Sequence, residues 1–192
     1  MTSDVRVQSE IAQWLRGLGS LRGTPPTLDM THLPDEPATL FLDWLREAER
    51  AGVPEPHAAT LATVGEDGLP DARTLIVKDV NESGWAFAGP LSARKASQLA
   101  SNPAGALNFW WQPLSRAVRV RGTVVEASRA EVEADVAARP IANASADWML
   151  WWIRPVRVEF WQGAVSRNHT RLVYEPHGGR WTHEVISGEH RA

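Results

Sequence analysis

The chain has 192 residues, 43% hydrophobic and 22% charged, and no cysteine; it suits one domain with a sizeable core and excludes bulk disorder, disulfides, thiolate metal sites and a cysteine nucleophile. Its net charge of −3 gives no reason to expect nucleic acid or an anionic membrane as a partner. No apolar run reaches the ~18 residues of a membrane span, and the first residues lack the basic-then-apolar layout of a signal peptide, so a cytoplasmic protein is expected.

Residues 1–36 read as an N-terminal arm, partly helical or flexible. Within it, Ser9–Leu18 fits a short amphipathic helix, and the Pro-, Thr- and Asp-rich stretch that follows reads as loop. Residues 37–192 read as one domain. Thr39–Ala51 has apolar residues at helical spacing, with Gly52 as its stop. Strand-like runs follow at Ala58–Val64, Ala72–Val80 and Trp85–Gly89, separated by GEDG and NESG turns. Ala93–Ser101 is a short helix closed by Asn102-Pro103. Ala106–Gln112 and Ser115–Ala127 are strands joined around Pro113. In the second, Val118, Val120 and Val124 form an apolar face and Arg119 and Arg121 a cationic one. Ser128 and Glu131 form a capping box that opens a helix running to about Ala138, stopped by Arg139-Pro140. Trp148–Trp152 reads as an apolar connection. VRVEFWQG, RLVYE and RWTHEVI complete the chain as strands. The expectation is a mainly β protein with peripheral α: a closed or partly closed barrel of antiparallel strands with short flanking helices.

The sequence lacks the glycine-rich dinucleotide and phosphate loops, the zinc-protease motif and the nucleophile elbow, and its six His give no cluster that suggests a metal. Cations stand out instead. Residues 1–70 carry 5 basic against 11 acidic residues, and residues 71–192 carry 15 against 12. Eighteen of the 20 basic residues are Arg. The two lysines, Lys78 and Lys95, can act as compact point charges on a phosphate, as Arg cannot. Arg73 and Lys78 bracket one strand, five residues apart. On a regular strand they point to opposite faces, so a bulge or the strand end is needed for both to reach one ligand. Arg94 and Lys95 open a helix, where they oppose the dipole unless an anion binds there; a solvated pair is the alternative. Arg167, His169 and Arg171 alternate along what reads as an extended segment and so share a face. That face suits an anionic or aromatic ligand, or an exposed strand paired with acids elsewhere. Ten Trp against one Tyr read mostly as core or subunit interface.

The segment EFWQGAVSRNHTRLVYE, with its Arg-x-His-x-Arg pattern, resembles the C-terminal signature of the pyridoxamine/pyridoxine 5′-phosphate oxidases and their phenazine-biosynthesis relatives. ATLATVGEDGLPDARTLIVK and SARKASQLASNP extend the resemblance over residues 37–187. It implies the FMN-binding split β-barrel, with FMN as cofactor, a homodimer with the sites at its interface, and O2 as oxidant. The segment of about residues 154–187 corresponds to the oxidase-type C-terminus. By the same resemblance Arg73, Lys78, Arg94, Lys95, Trp161 and Arg171 hold FMN. Lys78, Arg139, Arg167 and His169 hold a small anionic aromatic substrate, with Arg167 and His169 against its ring at the catalytic centre. A tailoring oxidation of another heterocycle, or flavin or deazaflavin binding without catalysis, is the alternative.

The chain also departs from the family pattern. Ala88 and Gly89 replace hydroxyl residues near FMN, Ala93 a serine and Ala117 a glutamine. Asp135 stands where a tyrosine, and Asn143 where a serine, would bind the substrate phosphate. The connection from Trp148 to Pro155 is short, which removes a Gln-Ser pair of FMN contacts.

Overall fold

The computed structural model describes residues 9–138 and 147–187. Its elements are α1 (Glu10–Gly17), α2 (Pro37–Arg50), β1 (Ala58–Val64), β2 (Pro70–Asn81), β3 (Gly84–Pro90) and α3 (Arg94–Ser101). There follow β4 (Ala104–Trp111), β5 (Arg116–Glu126), α4 (Arg129–Ala137), β6 (Trp148–Gln162), β7 (Thr170–His177) and β8 (Arg180–Ser187). The strands pair antiparallel in the order β3-β2-β1-β4-β5-β6-β7-β8, and β3 also pairs with β6. That extra pairing closes β1–β6 into a six-stranded barrel, from which β7 and β8 extend. The expected mainly β architecture with short helices is the one observed.

Strand β6 is the hinge of this topology. Its residues 148–153 pair with β3, and its residues 158–162 pair with β7. It changes partner around Pro155, which has no N–H to give to a ladder. Opposite Pro155 sits Gly122, at a register shift in β5. A Cβ on Gly122 would lie 1.9 Å from the Arg154 carbonyl oxygen, so only glycine allows the two strands to approach there. The Trp148–Trp152 run, expected as a connection, is thus the start of a 15-residue strand. It lacks alternation because both its faces are covered. Trp151 stacks on Phe87 at 5.7 Å between centroids, while Leu150 and Trp152 pack with Ala86 and Val132 on the other side.

Helix α2 supplies the plug of the core. Pro37 at its first turn suits the fixed proline φ, and Gly52 closes it at φ +70°. Leu40, Phe41, Trp44 and Ala48 are buried. Phe41 meets Trp85, Phe109 and Trp111, and Trp44 meets Phe160 edge-on at 5.2 Å. Rings of this size contribute about 2–3 kcal/mol each by burial. Helix α4 shows the full Ser128–Glu131 capping box and is tied to β6 by the Trp152 indole, which donates to Glu131 at 3.0 Å. Helix α1, capped by Ser9, buries none of its residues. After it the chain runs along the barrel: Thr24 N–H donates to the Pro113 carbonyl, Leu28 and Leu33 pack on the core, and the Tyr174 hydroxyl donates to the Pro34 carbonyl. Among the described residues no helix is long and apolar enough to cross a membrane.

Candidate functional site

Of the residues proposed from sequence, Arg73, Arg94 and Lys95 come together in one place, and Trp161, His169 and Arg171 in another. The first lies where α3 crosses β1 and β2. Gln98, on the inner side of α3, is buried, and its side-chain oxygen accepts from the Thr63 hydroxyl at 2.6 Å and from Arg73 at 2.9 Å. Arg73 also donates to the Thr63 hydroxyl. The Gln98 amide nitrogen donates to Asp71 at 3.2 Å. Asp71 in turn pairs with Arg73 at 3.0 Å and with Arg94 at 3.2 Å. The Gln98 hydrogen bond, then the charges of Arg73 and Arg94, hold the Asp71 carboxyl below its ordinary range.

Lys95 stands beside this network, at the second position of α3. It is half-buried, its ammonium 5.8 Å from the Trp151 ring centroid. No carboxylate among the described residues pairs with it. Desolvation, then the neighbouring charge of Arg73, lowers its pKa. The N-cap Ala93 offers no side-chain oxygen, and the first turn of α3 carries no acid. A helix start with two cations, one of them an unpaired ammonium, and no acid in its first turn has the physical chemistry that favours an anion. Lys78 is exposed on β2, at the register shift between Val77 and Asp79. A bulge of the kind that would let it share a ligand with Arg73 is therefore present at that residue.

The second place is one face of β5, β6 and β7. Trp161 pairs across the ladders with Ala117 and Arg171. Its ring lies 6.0 Å from Trp110 and 4.9 Å from His169. Gly163 leaves room for it, since a Cβ there would sit 2.8 Å from the Trp161 ring edge. Two residues upstream on the same face, the buried Glu159 carboxylate is 2.6 Å from Arg119 and 3.7 Å from both Arg157 and Arg171. The Arg171 Nε is buried without a hydrogen-bond partner, as a donor awaiting an acceptor would be. The His169 Nδ1 accepts from the Ala164 N–H at 3.1 Å.

The turn between β6 and β7 corrects one expectation. Arg167 does not lie on extended backbone: its φ is +67°, its N–H donates to the Ala164 carbonyl, and its own carbonyl accepts from the His169 N–H. The chain reverses tightly there, and regular strand begins only at Thr170. Alternation therefore does not put Arg167, His169 and Arg171 on one face. Arg167 is exposed at the turn, His169 folds back toward Trp161, and Arg171 alone holds strand register.

Arg139 and Asn143 lie outside the described residues. Asp135 lies in α4, where its carboxylate accepts from the Trp148 indole at 2.8 Å. Sequence reading missed Asp71 and Gln98, and gave Glu159 of the EFWQG segment no role. Asp71 could have been found, because it stands two residues before Arg73 and so shares its strand face. Among the described residues no group of His, Asp or Glu comes together as a metal site.

Residues 45–167 match the family described as pyridoxamine 5′-phosphate oxidase. Residues 148–187 match the pyridoxine 5′-phosphate oxidase C-terminal dimerisation region. The chain belongs to the pyridoxamine 5′-phosphate oxidase family. That membership makes it an oxidoreductase, FMN-dependent by family. It is similar to the pyridoxine/pyridoxamine 5′-phosphate oxidase of Thermosynechococcus vestitus, at 34% identity over 77% of this chain and 86% of that protein. The corresponding protein of Paracidovorax citrulli is 37% identical over 79% of this chain and 84% of its own length. Among solved structures, PhzG from Burkholderia lata 383, in complex with tetrahydrophenazine-1-carboxylic acid, superposes with a TM-score of 0.80 at 22% identity, covering 86% of this chain and all of that one. An FMN-binding protein from Nostoc punctiforme, related to the same family, gives 0.64 at 18% identity over 79% of this chain and 97% of its own. Both structures share the split-barrel fold.

Proposed function

We propose that the protein binds FMN at a site completed by a second copy of the chain and oxidises pyridoxamine or pyridoxine 5′-phosphate. The observation that carries the reading is the half-buried, unpaired ammonium of Lys95 beside Arg73 and Arg94, which fits the phosphate end of FMN. The Arg171 Nε beside Trp161, near Glu159 but without a hydrogen bond, fits a polar acceptor on the flavin side. When bound, FMN supplies the hydride acceptor for a substrate carbon bearing an amine or hydroxyl, with O2 as final oxidant. The chain's own share is positioning and charge. Arg73, Arg94 and Lys95 hold the cofactor phosphate, and Trp161 and Arg171 contact the cofactor from the other copy. Lys78 and Arg139 draw in the substrate phosphate. Arg167 and His169 orient the substrate ring, and such positioning lowers the barrier by removing freedom before the reaction.

Helix α4 favours a second reading, oxidation of another anionic aromatic heterocycle of the phenazine type. Asp135 brings a carboxylate where a phosphate-binding tyrosine is expected, and the Trp148 indole holds it in place. One experiment separates the two. The purified protein is expected to be yellow, and anaerobic pyridoxamine 5′-phosphate to bleach the flavin band. A stable yellow spectrum rejects that substrate and leaves the second reading. Absence of any flavin affinity rejects both.

A further inference from the structure

The phosphate subsite contains an acid that no anion-binding role requires. Asp71 places one carboxylate oxygen within 3.2 Å of Arg73, Arg94 and Gln98 together. The two arginines depend on it unequally. Arg73 is largely buried and has Thr63 and Gln98 as further acceptors. The Arg94 side chain is 74% exposed, and Asp71 is its one ion-pair partner among the described residues. Arg73, Arg94 and Lys95 carry three positive charges, and Asp71 cancels one. The remainder matches a phosphate monoester dianion.

We propose that Asp71 is a built-in counter-ion of the phosphate subsite, which a phosphate monoester must displace from Arg94 in order to bind. Asp71 thereby weakens the grip on the phosphate end and keeps small free anions from occupying the empty subsite. Its depressed pKa keeps it ionised across the working pH range, so the competition is always present. The proposal rests on the reading of Arg73, Arg94 and Lys95 as the FMN phosphate site.

The test compares FMN, riboflavin and inorganic phosphate as ligands of the apoprotein at low ionic strength. In Asp71→Asn the amide still accepts from Gln98, and only the charge is lost. FMN affinity is expected to rise about tenfold, the scale of one partly screened like-charge contact. Riboflavin, which lacks the phosphate, should bind unchanged, and inorganic phosphate should compete with FMN at lower concentration. Asp71→Ser is the second variant and should move the same way. If the wild type prefers FMN over riboflavin but neither variant tightens FMN, the proposal is overturned and the phosphate site stands. If the wild type does not distinguish FMN from riboflavin, both fall. If both variants lose riboflavin along with FMN, Asp71 is a structural residue and the proposal is overturned.

Discussion

The ammonium of Lys95 fills the space that a β-carbon on residue 89 would take: an ideal Cβ on Gly89 would lie 2.1 Å from Nζ. The missing side chain on β3 thus lets the lysine fold back between Trp151 and Arg73. Because the crowded atom is the end of a flexible chain, Gly89→Ala should leave the melting temperature nearly unchanged. It should push the ammonium out of its half-buried position. Lys95→Ala removes one charge-assisted phosphate contact, worth about 1.5–3 kcal/mol, so in that variant FMN affinity of the apoprotein should fall roughly tenfold or more. An unchanged FMN titration would remove Lys95 from the phosphate site.

The same neighbourhood shows what the sequence could and could not reveal. The helix at Arg94 is legible in the sequence with its Asn102-Pro103 stop, and a bulge in β2 is one of the two ways the sequence allows Arg73 and Lys78 to reach one ligand; β2 does shift register at Lys78. The Asp71 bridge joins residues 23 apart, Asp71 and Arg94, through the docking of α3 on β2. No local pattern encodes that docking. Likewise, Trp148–Trp152 hides its strand because a segment covered on both faces loses the period-2 signal. The Arg167 turn escaped because a residue other than glycine adopts the left-handed backbone there, without the usual Gly or Asn marker.

Arg116 is the buried cation of the core. It lies 3.9 Å over the Trp44 ring, donates to Gln162 at 2.8 Å and is bonded to Glu47. Desolvation lowers its pKa, and Glu47 opposes that shift. Removing one partner of a buried pair strands the other charge, at a cost of several kcal/mol when fully buried. Glu47 is 37% exposed, so water recovers part of this. Glu47→Ala should cost about 2 kcal/mol in urea unfolding. The double variant Glu47→Ala with Arg116→Met should recover part of the loss, and failure to recover any would deny the coupling.

Tyr174 is the one tyrosine of the chain. Burial, then the charge of Asp35, pushes its pKa from 10.0 up to about 12. The folded state therefore keeps the proton longer than the unfolded one. The resulting stability is complete below about pH 10 and is lost as the pH rises toward about 12. Tyr174→Phe should lose about 1 kcal/mol at neutral pH, through the bond to the Pro34 carbonyl. It should also show a shallower alkaline decline than the wild type. Parallel declines in urea midpoints between about pH 9 and 11.5 would show that Tyr174 does not titrate with unfolding.

Asp135 and Trp148 tie α4 to the start of β6 at 2.8 Å. Replacing Asp135 by Ala leaves a partly buried indole N–H without this acceptor, an expected cost of about 1–2 kcal/mol. Asp135→Asn keeps an acceptor oxygen and should recover most of it. If the carboxylate instead repels substrate, Asp135→Asn should lower the Michaelis constant for pyridoxine 5′-phosphate without changing that for an unphosphorylated ring. A thermal melt and a steady-state comparison of these two variants read the two roles separately.

The cation cluster and the Trp161–Arg171 face stand apart within one chain. No hydrogen bond, ion pair or ring contact among the described residues joins Arg73, Arg94 or Lys95 to Trp161 or Arg171. Strand β3 links β2 only to residues 148–153 of β6, and β1, β4 and β5 separate β2 from the Trp161 end of β6. The dimerisation region at residues 148–187 carries Trp161 and Arg171. If the cofactor needs both half-sites, each is expected to come from a different copy. Arg94→Ala with Lys95→Ala in one chain, and Arg171→Ala in another, should each abolish most FMN binding as homodimers. Two lost phosphate contacts alone correspond to roughly tens-fold or more in affinity. Mixing the two chains through a denaturation and refolding cycle produces mixed dimers. In each of these, one site combines the intact cation cluster of one copy with the intact Trp161–Arg171 face of the other. The purified mixed dimer should therefore bind one FMN with wild-type affinity. Binding confined within a single chain would give none, and a monomeric mass carrying FMN in light scattering would equally overturn the shared site.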